Sequence, residues 1–452
     1  MRTHRLVTWF SLIAIVGTTA CGGARAASPM DPVPAGERRS LRRLVLMLDG
    51  VPYTVVDSLW RAGHFADFRP PSKLISPFPA LTEVAFGSIW HEPPPGYEDR
   101  YFDAQDNRIE GGLLEHLFKS SEHGGFRRYV DIGPGGVSAT FAYVWPSAMA
   151  RRELNRLRNQ VLEQATRDTA IVAYMVATDA IAHRAGREAL VEQLLAIEDF
   201  LGDLRARFGP QLEIVLFSDH GNELIPTRRA PLEEALEAAG FDLADEIEDE
   251  NDVVAPRFGL VGSAFFYAAP LAESRLADAL AGAEGVELVF LEDEDGRVHV
   301  RGRDGRAIVE ARDGGTRFRY EPLEGDPLGL ADAVASLRRR GLMGPDGFAA
   351  DSAWFGATQR TPYIDSLRRI VAGLRRVVKH PANVVVSFAP GYHFGSRAAD
   401  LLVDVTGTHG SLRTESALAF LMGTHLAAPT VLRSEALLEY LPVRPVETAR
   451  AP

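Results

Sequence analysis

The sequence predicts an α/β fold, a parallel or mixed sheet interrupted by an antiparallel insertion. From about Arg42 onward, short apolar runs of strand length alternate with amphipathic helical stretches, the pattern of strands joined by crossover helices. The apolar runs are continuous, as in strands buried on both faces. Between about Asn222 and Lys379 the pattern changes to alternation by twos broken by glycine turns, which reads as hairpins.

The elements come in chain order. "MRTHR" supplies positive charge ahead of "LVTWFSLIAIVG", an apolar core too short to span a bilayer comfortably. Residues 1–26 therefore read as an export signal with two processing readings. "GTTAC" places a small residue before Cys21, resembling a bacterial lipoprotein signal, while "ARAAS" offers a cleavage box ending at Ala26. Cys21 is the only cysteine in the chain, so it has no disulfide partner, and lipidation accounts for its position. The expected location is periplasmic or outer-membrane lipoprotein, or else secreted and soluble. Residues 27–41, containing "SPMDPVPAGERRS", read as a flexible linker. No later segment is apolar enough to cross a membrane.

The strands expected of the parallel sheet are "RLVLML", "AIVAYMV", "LEIVLFS" and "NVVVSFA"; the helices are "RRELNRLRNQVLEQAT", "REALVEQLLAIEDFLGDLRARF" and "PYIDSLRRIVAGLRRVV". Thr361 and Pro362 predict the start of the last helix, as cap and first-turn residue. "VELVFLEDEDGRVHVRGRDGRAIVEARDG" predicts antiparallel hairpins with "EDG" and "RDG" turns. With net charge −12 and a pI near 5.5, the chain lacks the basic face that binding a nucleic-acid polymer requires.

The residues just beyond the strands carry the chemistry. "LVLML" ends on Asp49; "AIVAYMVAT" on Asp179, with His183 four residues on; "LEIVLFS" on Asp219 and His220; and His409 stands in "GTHGS" further down. Ligands of open α/β sheets collect at the carboxyl ends of strands. Parallel neighbours would bring three Asp and three His to one edge. A carboxylate at the mouth of a buried strand needs a partner, and here the partner is a cation. Nitrogen and oxygen donors without a thiolate suit Zn²⁺ or a similar divalent ion, and six ligands suit two ions about 3.5–4 Å apart, the arrangement that clamps a phosphoryl group. Thr82 in "SPFPALTEVAFGSIW" lies just before a helical pattern and is the candidate nucleophile.

"LDG", "FPALT", "ATDAIAH", "SDHG" and "GTHG", in that order, resemble the alkaline phosphatase superfamily, with the type I phosphodiesterase/nucleotide pyrophosphatase branch nearest. The resemblance covers most of Leu44 to about Gly423. It implies a three-layer α/β/α sandwich with a mostly parallel central sheet and a smaller inserted α+β lobe. In these terms residues 42–221 and 380–426 are the catalytic core, 222–379 the insertion, and 427–452 a C-terminal tail. The resemblance further implies one metal held by Asp179, His183 and His409 and another by Asp49, Asp219 and His220, with the Thr82 oxygen joining the second. Thr82 would attack phosphorus in line and form a phospho-threonine that water then hydrolyses.

Two positions depart from that pattern. Ala85 stands where many such phosphodiesterases carry an asparagine, and Asp99, in "EDRYFD", stands where related bacterial enzymes have another; an anion there would repel a phosphate. Trp90, Tyr101, Phe102, Tyr392 and His393 are the candidates to line a leaving-group pocket, and Ala85, Asp99, Tyr101 and His393 the candidate substrate contacts. The expected function is an exported two-metal phosphohydrolase acting on a small phosphate ester, a phosphodiesterase first. The alternatives are a phosphomonoesterase of the same superfamily and a non-catalytic metal-binding lipoprotein. The monoesterase needs an additional cationic group that no motif supplies.

Overall fold

Leu44 to Leu48 are each no more than 1% exposed, and the reason is a sheet covered on both sides. The computed structural model describes residues 41–112, 125–134, 143, 145–401 and 403–441. The export signal and linker to residue 40, with Cys21 and Ala26, lie outside the described residues, as do residues 442–452 of the tail. Six strands form the central sheet: β1 (Arg43–Leu48), β2 (Ser72–Ile75), β3 (Ala170–Met175), β4 (Glu213–Ser218), β5 (Leu418–Gly423) and β6 (Val431–Arg433), in the order β6-β2-β5-β4-β1-β3. β1 is parallel to β3 and to β4, with Leu48 opposite Met175 and Ser218. β2 and β6 are parallel to each other, and only β5 runs against its neighbours β2 and β4.

The helices are α1 (Tyr53–Arg61), α2 (Thr82–Trp90), α3 (Pro146–Gln164), α4 (Ala177–Arg184), α5 (Gly186–Phe208) and α6 (Ser366–Arg375). On one face Leu44, Leu46 and Leu48 pack against α1, α3 and α5. The stripe of α5 comprises Leu190, Leu194, Ile197, Leu201 and Leu204, the three- and four-residue spacing of a helix face. On the other face Val45, Met47, Val215 and Phe217 meet Phe86, Ile89 and Trp90 of α2. Each fully buried aliphatic side chain here contributes about 1.5–3 kcal/mol. The result is an α/β/α sandwich on a mostly parallel sheet.

The second sheet has nine strands, more than the central one. Val286–Glu292, Val298–Gly302, Gly305–Arg312 and Arg317–Gly325 pair antiparallel in succession, as the hairpin pattern predicts. Val384–Phe388, expected among the parallel strands, instead lies between Ser263–Ala268 and Val286–Glu292, antiparallel to both. Its run is continuous because this sheet too is covered on both faces. Val385 faces the core that includes α6, and Val384, Val386 and Phe388 face the opposite one.

Helix α6 begins at Ser366 rather than at Thr361 and Pro362. Asp365 takes a left-handed φ of 52°, held there by a partly buried bidentate pair with Arg433 at 2.7 and 2.8 Å, which stops the helix from extending backward. The Thr361 hydroxyl donates to the carbonyls of Thr358 and Tyr363 instead of capping. Among the described residues no helix is long and apolar enough to cross a membrane.

Candidate metal centre and nucleophile

The register of the three central strands assembles the site. Leu48, Met175 and Ser218 are level with one another, so the residues beyond them emerge side by side at the carboxyl edge. Asp49 comes directly after β1, and Asp219 and His220 directly after β4. Asp179 lies in the first turn of α4, with His183 one turn on and on the same side, its Nε2 3.4 Å from Asp179 Oδ2. His409 arrives on the segment before β5.

Asp49, Asp219 and His220 form one group whose ligand atoms lie within 4.8 Å of one another, and Asp179, His220 and His409 form a second. His220 is common to both. The ring of His220 is stacked on that of His409, centroids 3.8 Å apart, which brings its Nε2 between the two sets of carboxylates. The resemblance assigns His183, not His220, to the group of Asp179 and His409. The structure puts His183 beside Asp179, with its ring 5.0 Å from that of His409 and edge-on to it.

Two backbone carbonyls set the tautomers. His220 Nδ1 is 2.9 Å from the carbonyl of Gly221, and His409 Nδ1 is 2.8 Å from that of Ala80. A carbonyl only accepts, so each Nδ1 carries a hydrogen and each Nε2 is the ring atom left to meet the carboxylates or a cation between them.

The electrostatics ask for positive charge. Burial pushes Asp49 up and pushes Asp219 up to about 7. Burial also works against the charge on His220, but Asp219 and Asp49 beside it outweigh that and raise it to about 10. Asp179 is lowered: burial opposes its charge, and His183, His409 and His220 together prevail. Carboxylates that draw a proton onto an imidazole this strongly would accept a divalent cation in its place.

Two further features fit cations. Asp179 Oδ1 and Asp219 Oδ2 are buried and have no hydrogen-bond partner among the described residues. Such atoms are rare unless something else meets them. Gly50 keeps the space beside one of them open, for a Cβ there would lie 2.3 Å from Asp179 Oδ1.

Thr82 is the first residue of α2, and Leu81 is the cap. Its hydroxyl caps nothing; Oγ1 lies 3.3 Å from Asp49 Oδ1 and 3.1 Å from His220 Nε2. A helix start also favours an anion through its free N–H groups.

Sequence reasoning misses the supporting shell. Tyr174 donates its hydroxyl to Asp49 Oδ2. Tyr143 donates to Asp179 Oδ2 at 2.7 Å. Thr178 Oγ1 donates to the Asp49 carbonyl at 2.7 Å, and the N–H of Gly50 to Asp219 Oδ1 at 3.1 Å. Only the place of Tyr174 on a strand and of Thr178 beside Asp179 is legible in the sequence, and neither separates a ligand's partner from a core residue.

The expected substrate contacts are engaged elsewhere. Ala85 is wholly buried in α2, so its side chain offers no surface. Asp99 is buried with the guanidinium of Arg127 near it, which offsets the charge that would repel a phosphate. Tyr101 stacks on His380 at 5.2 Å. His393 is buried between Thr227 and Asp400, at 2.8 and 2.9 Å. Of the pocket candidates, Trp90 stacks on Tyr129, Phe102 packs in the second core, and the Tyr392 hydroxyl bonds Glu284.

No protein-family model matches the chain, and no curated protein matches it either. Among solved structures, phosphonoacetate hydrolase from Sinorhizobium meliloti 1021, in complex with phosphonoformate, is similar over 90% of this chain and 97% of its own, at 12% identity and a TM-score of 0.47. Murine ectonucleotide pyrophosphatase/phosphodiesterase 5 is similar over 89% of this chain and 96% of its own, at 11% identity and a TM-score of 0.46. Its human counterpart is similar over the same shares, 89% and 96%, at 10% identity and a TM-score of 0.45.

Proposed function

We propose that the chain is an exported two-metal phosphodiesterase with Thr82 as nucleophile, carried out of the cytoplasm as a periplasmic or outer-membrane lipoprotein. The observation that carries this reading is the Thr82 hydroxyl between Asp49 Oδ1 and His220 Nε2, beside two groups of buried ligand atoms that share His220. Asp49, Asp219 and His220 would hold one ion and Asp179, His409 and His183 or His220 the other. Carboxylate and imidazole donors without sulfur suit zinc. Bound there, the two ions would supply charge neutralisation for the phosphoryl oxygens and acidity for a hydroxyl. Thr82 Oγ1 passes its proton to water and attacks phosphorus; the Oγ1–P bond forms as the bond to the leaving oxygen breaks, and that oxygen departs as the alcohol with a proton taken up from water. Water then cleaves the phospho-threonine and restores the hydroxyl.

A phosphomonoesterase is the second reading, and Arg127 is the observation that favours it. Its guanidinium lies 2.8 Å from the carboxylate of Glu83, the residue after Thr82. That charge is already met by Glu83 and by Asp99 nearby, which leaves little for a second phosphate charge and returns the balance to the diester. The test is metal analysis of purified protein together with turnover of bis-p-nitrophenyl phosphate and p-nitrophenyl phosphate. Close to two zinc ions per chain and faster diester cleavage are expected, with Thr82→Ala inactive but still metal-loaded. Faster monoester cleavage would move the assignment to phosphatase, and metal without turnover would make the chain a binding protein.

A further inference from the structure

We propose that Tyr174 and Tyr143 are matched positioning residues, one for each ion, each fixing a single aspartate so that only its other oxygen is free to bind. The inference rests on the two-metal reading above and goes beyond it. Asp49 belongs to one ligand group and Asp179 to the other. In each the Oδ2 atom receives a phenol hydroxyl, from Tyr174 and from Tyr143 respectively. In each the Oδ1 atom is turned inward. Asp49 Oδ1 lies 3.4 Å from His220 Nε2 and accepts the hydroxyl of Thr82, itself the candidate nucleophile, at 3.3 Å. Asp179 Oδ1 has no hydrogen-bond partner among the described residues and lies 3.8 Å from His409 Nε2.

The third carboxylate obeys the same rule by other means. Asp219 Oδ1 accepts the N–H of Gly50, while its Oδ2 accepts no hydrogen bond among the described residues and lies 3.4 Å from His220 Nε2. Each aspartate thus has one oxygen held and one presented. A carboxylate so held is a one-oxygen ligand of fixed direction, and the donated hydrogen bond tunes its strength.

The two phenols are anchored independently, which makes their effects separable. Tyr174 sits on β3 perpendicular to the stacked pair of Phe86 and Phe126, 5.4 Å from each. Tyr143 is held through its carbonyl, which accepts Arg184 Nε at 3.0 Å. Core filling alone would explain either ring, but not a hydroxyl delivered to one oxygen of a ligand aspartate in each group. His183 Nε2, 3.4 Å from Asp179 Oδ2, shares the Tyr143 side of the carboxylate and leaves Oδ1 untouched.

The test uses full-length protein stripped with a chelator and titrated with Zn²⁺ against a fluorescent zinc chelator, with Co²⁺ absorption as a second readout. Wild type is expected to bind in two steps. Tyr174→Phe, which keeps the ring, should weaken one step about tenfold or more, and Tyr143→Phe the other, with the double variant weakening both. Both steps staying within about twofold of wild type in the two variants would overturn the inference, as would either variant weakening both steps equally. Wild type that takes up no ion would overturn the two-metal reading itself, a result distinct from the variants' failure. If Tyr174→Phe fails to fold, Tyr143→Phe, at a half-buried position, decides alone.

Discussion

The carboxylate of Glu153, on α3, accepts the backbone N–H of Ala177 at 2.9 Å, at the first residue of α4. It also receives the N–H of Val176 at 3.3 Å, and no side chain within α4 caps that end. Glu153 therefore serves as a cap supplied from another helix, and the helix it steadies carries Asp179 and His183. Glu153→Ala is expected to cost about 1 kcal/mol, the usual worth of an N-cap. Urea unfolding of the metal-free protein would measure it; an unchanged midpoint would show the cap to be idle.

Gly50 offers a sharper probe. Its φ of +63° disfavours a side chain, and a Cβ would press on Asp179 Oδ1 at 2.3 Å. Gly50→Ala should reduce zinc affinity by about tenfold or more, read by chelator competition. Gly63 supplies the control, because its φ of +96° carries a similar backbone penalty with nothing within 4 Å of the new Cβ. Gly63→Ala should lose stability and keep its metal. Equal metal loss in both variants would trace the effect to the backbone rather than to Asp179.

Such contacts mark the limit of what the sequence discloses. β1, β3 and β4 are legible because burial on both faces leaves an unbroken apolar run, and the Asp that ends each run or opens the following helix is conspicuous against it. Val384–Phe388 has the same texture for the same reason, so nothing local distinguishes a strand of the second sheet from one of the first. Leu418–Gly423 is equally apolar, and its reversed direction depends on which neighbours it meets. The gathering of Asp49, Asp219 and His220 comes from strand order. The sharing of His220 between groups does not, since it depends on a ring stacked against His409. Tyr174 carries its hydroxyl among core aromatics, where a tyrosine and a phenylalanine satisfy the same alternation.

Glu98 gives a pH prediction away from the ligands. Loss of hydration pushes its carboxyl up to about 7 from an ordinary 4.5, against the N–H of Gly259 that it accepts at 2.7 Å. Between those values the folded protein holds a proton that the unfolded chain releases. Stability from this group is therefore full below about pH 4.5 and lost as pH rises to about 7. Glu98→Gln should remove that slope, narrowing the difference between pH 5 and pH 8 by on the order of 2 kcal/mol. Parallel urea melts of the two proteins would measure it, and identical slopes would show that Glu98 is hydrated after all.

Among the described residues, Arg369 is a buried guanidinium that forms no ion pair with a carboxylate. It is 3% exposed, and burial pulls its pKa down to about 10. Asp365, the nearest anion, is already taken by Arg433. The guanidinium instead donates to four carbonyls: Nε to Ser76 at 3.0 Å, Nη1 to Leu412 at 2.7 Å and Ile364 at 3.2 Å, and Nη2 to Pro77 at 3.4 Å. Ser76 and Pro77 begin the segment that leads to Thr82, while Leu412 lies three residues beyond His409. One side chain on α6 thus ties the nucleophile's approach to the segment of a metal ligand. Arg369→Met would strand those carbonyls in a dry interior, and a loss of about 3 kcal/mol or more is expected in urea unfolding. Arg369→Lys should recover less than half of it, because one ammonium cannot reach donors' positions that a planar fork spans. If lysine restored full stability, the carbonyls would need only a charge nearby rather than a planar fork.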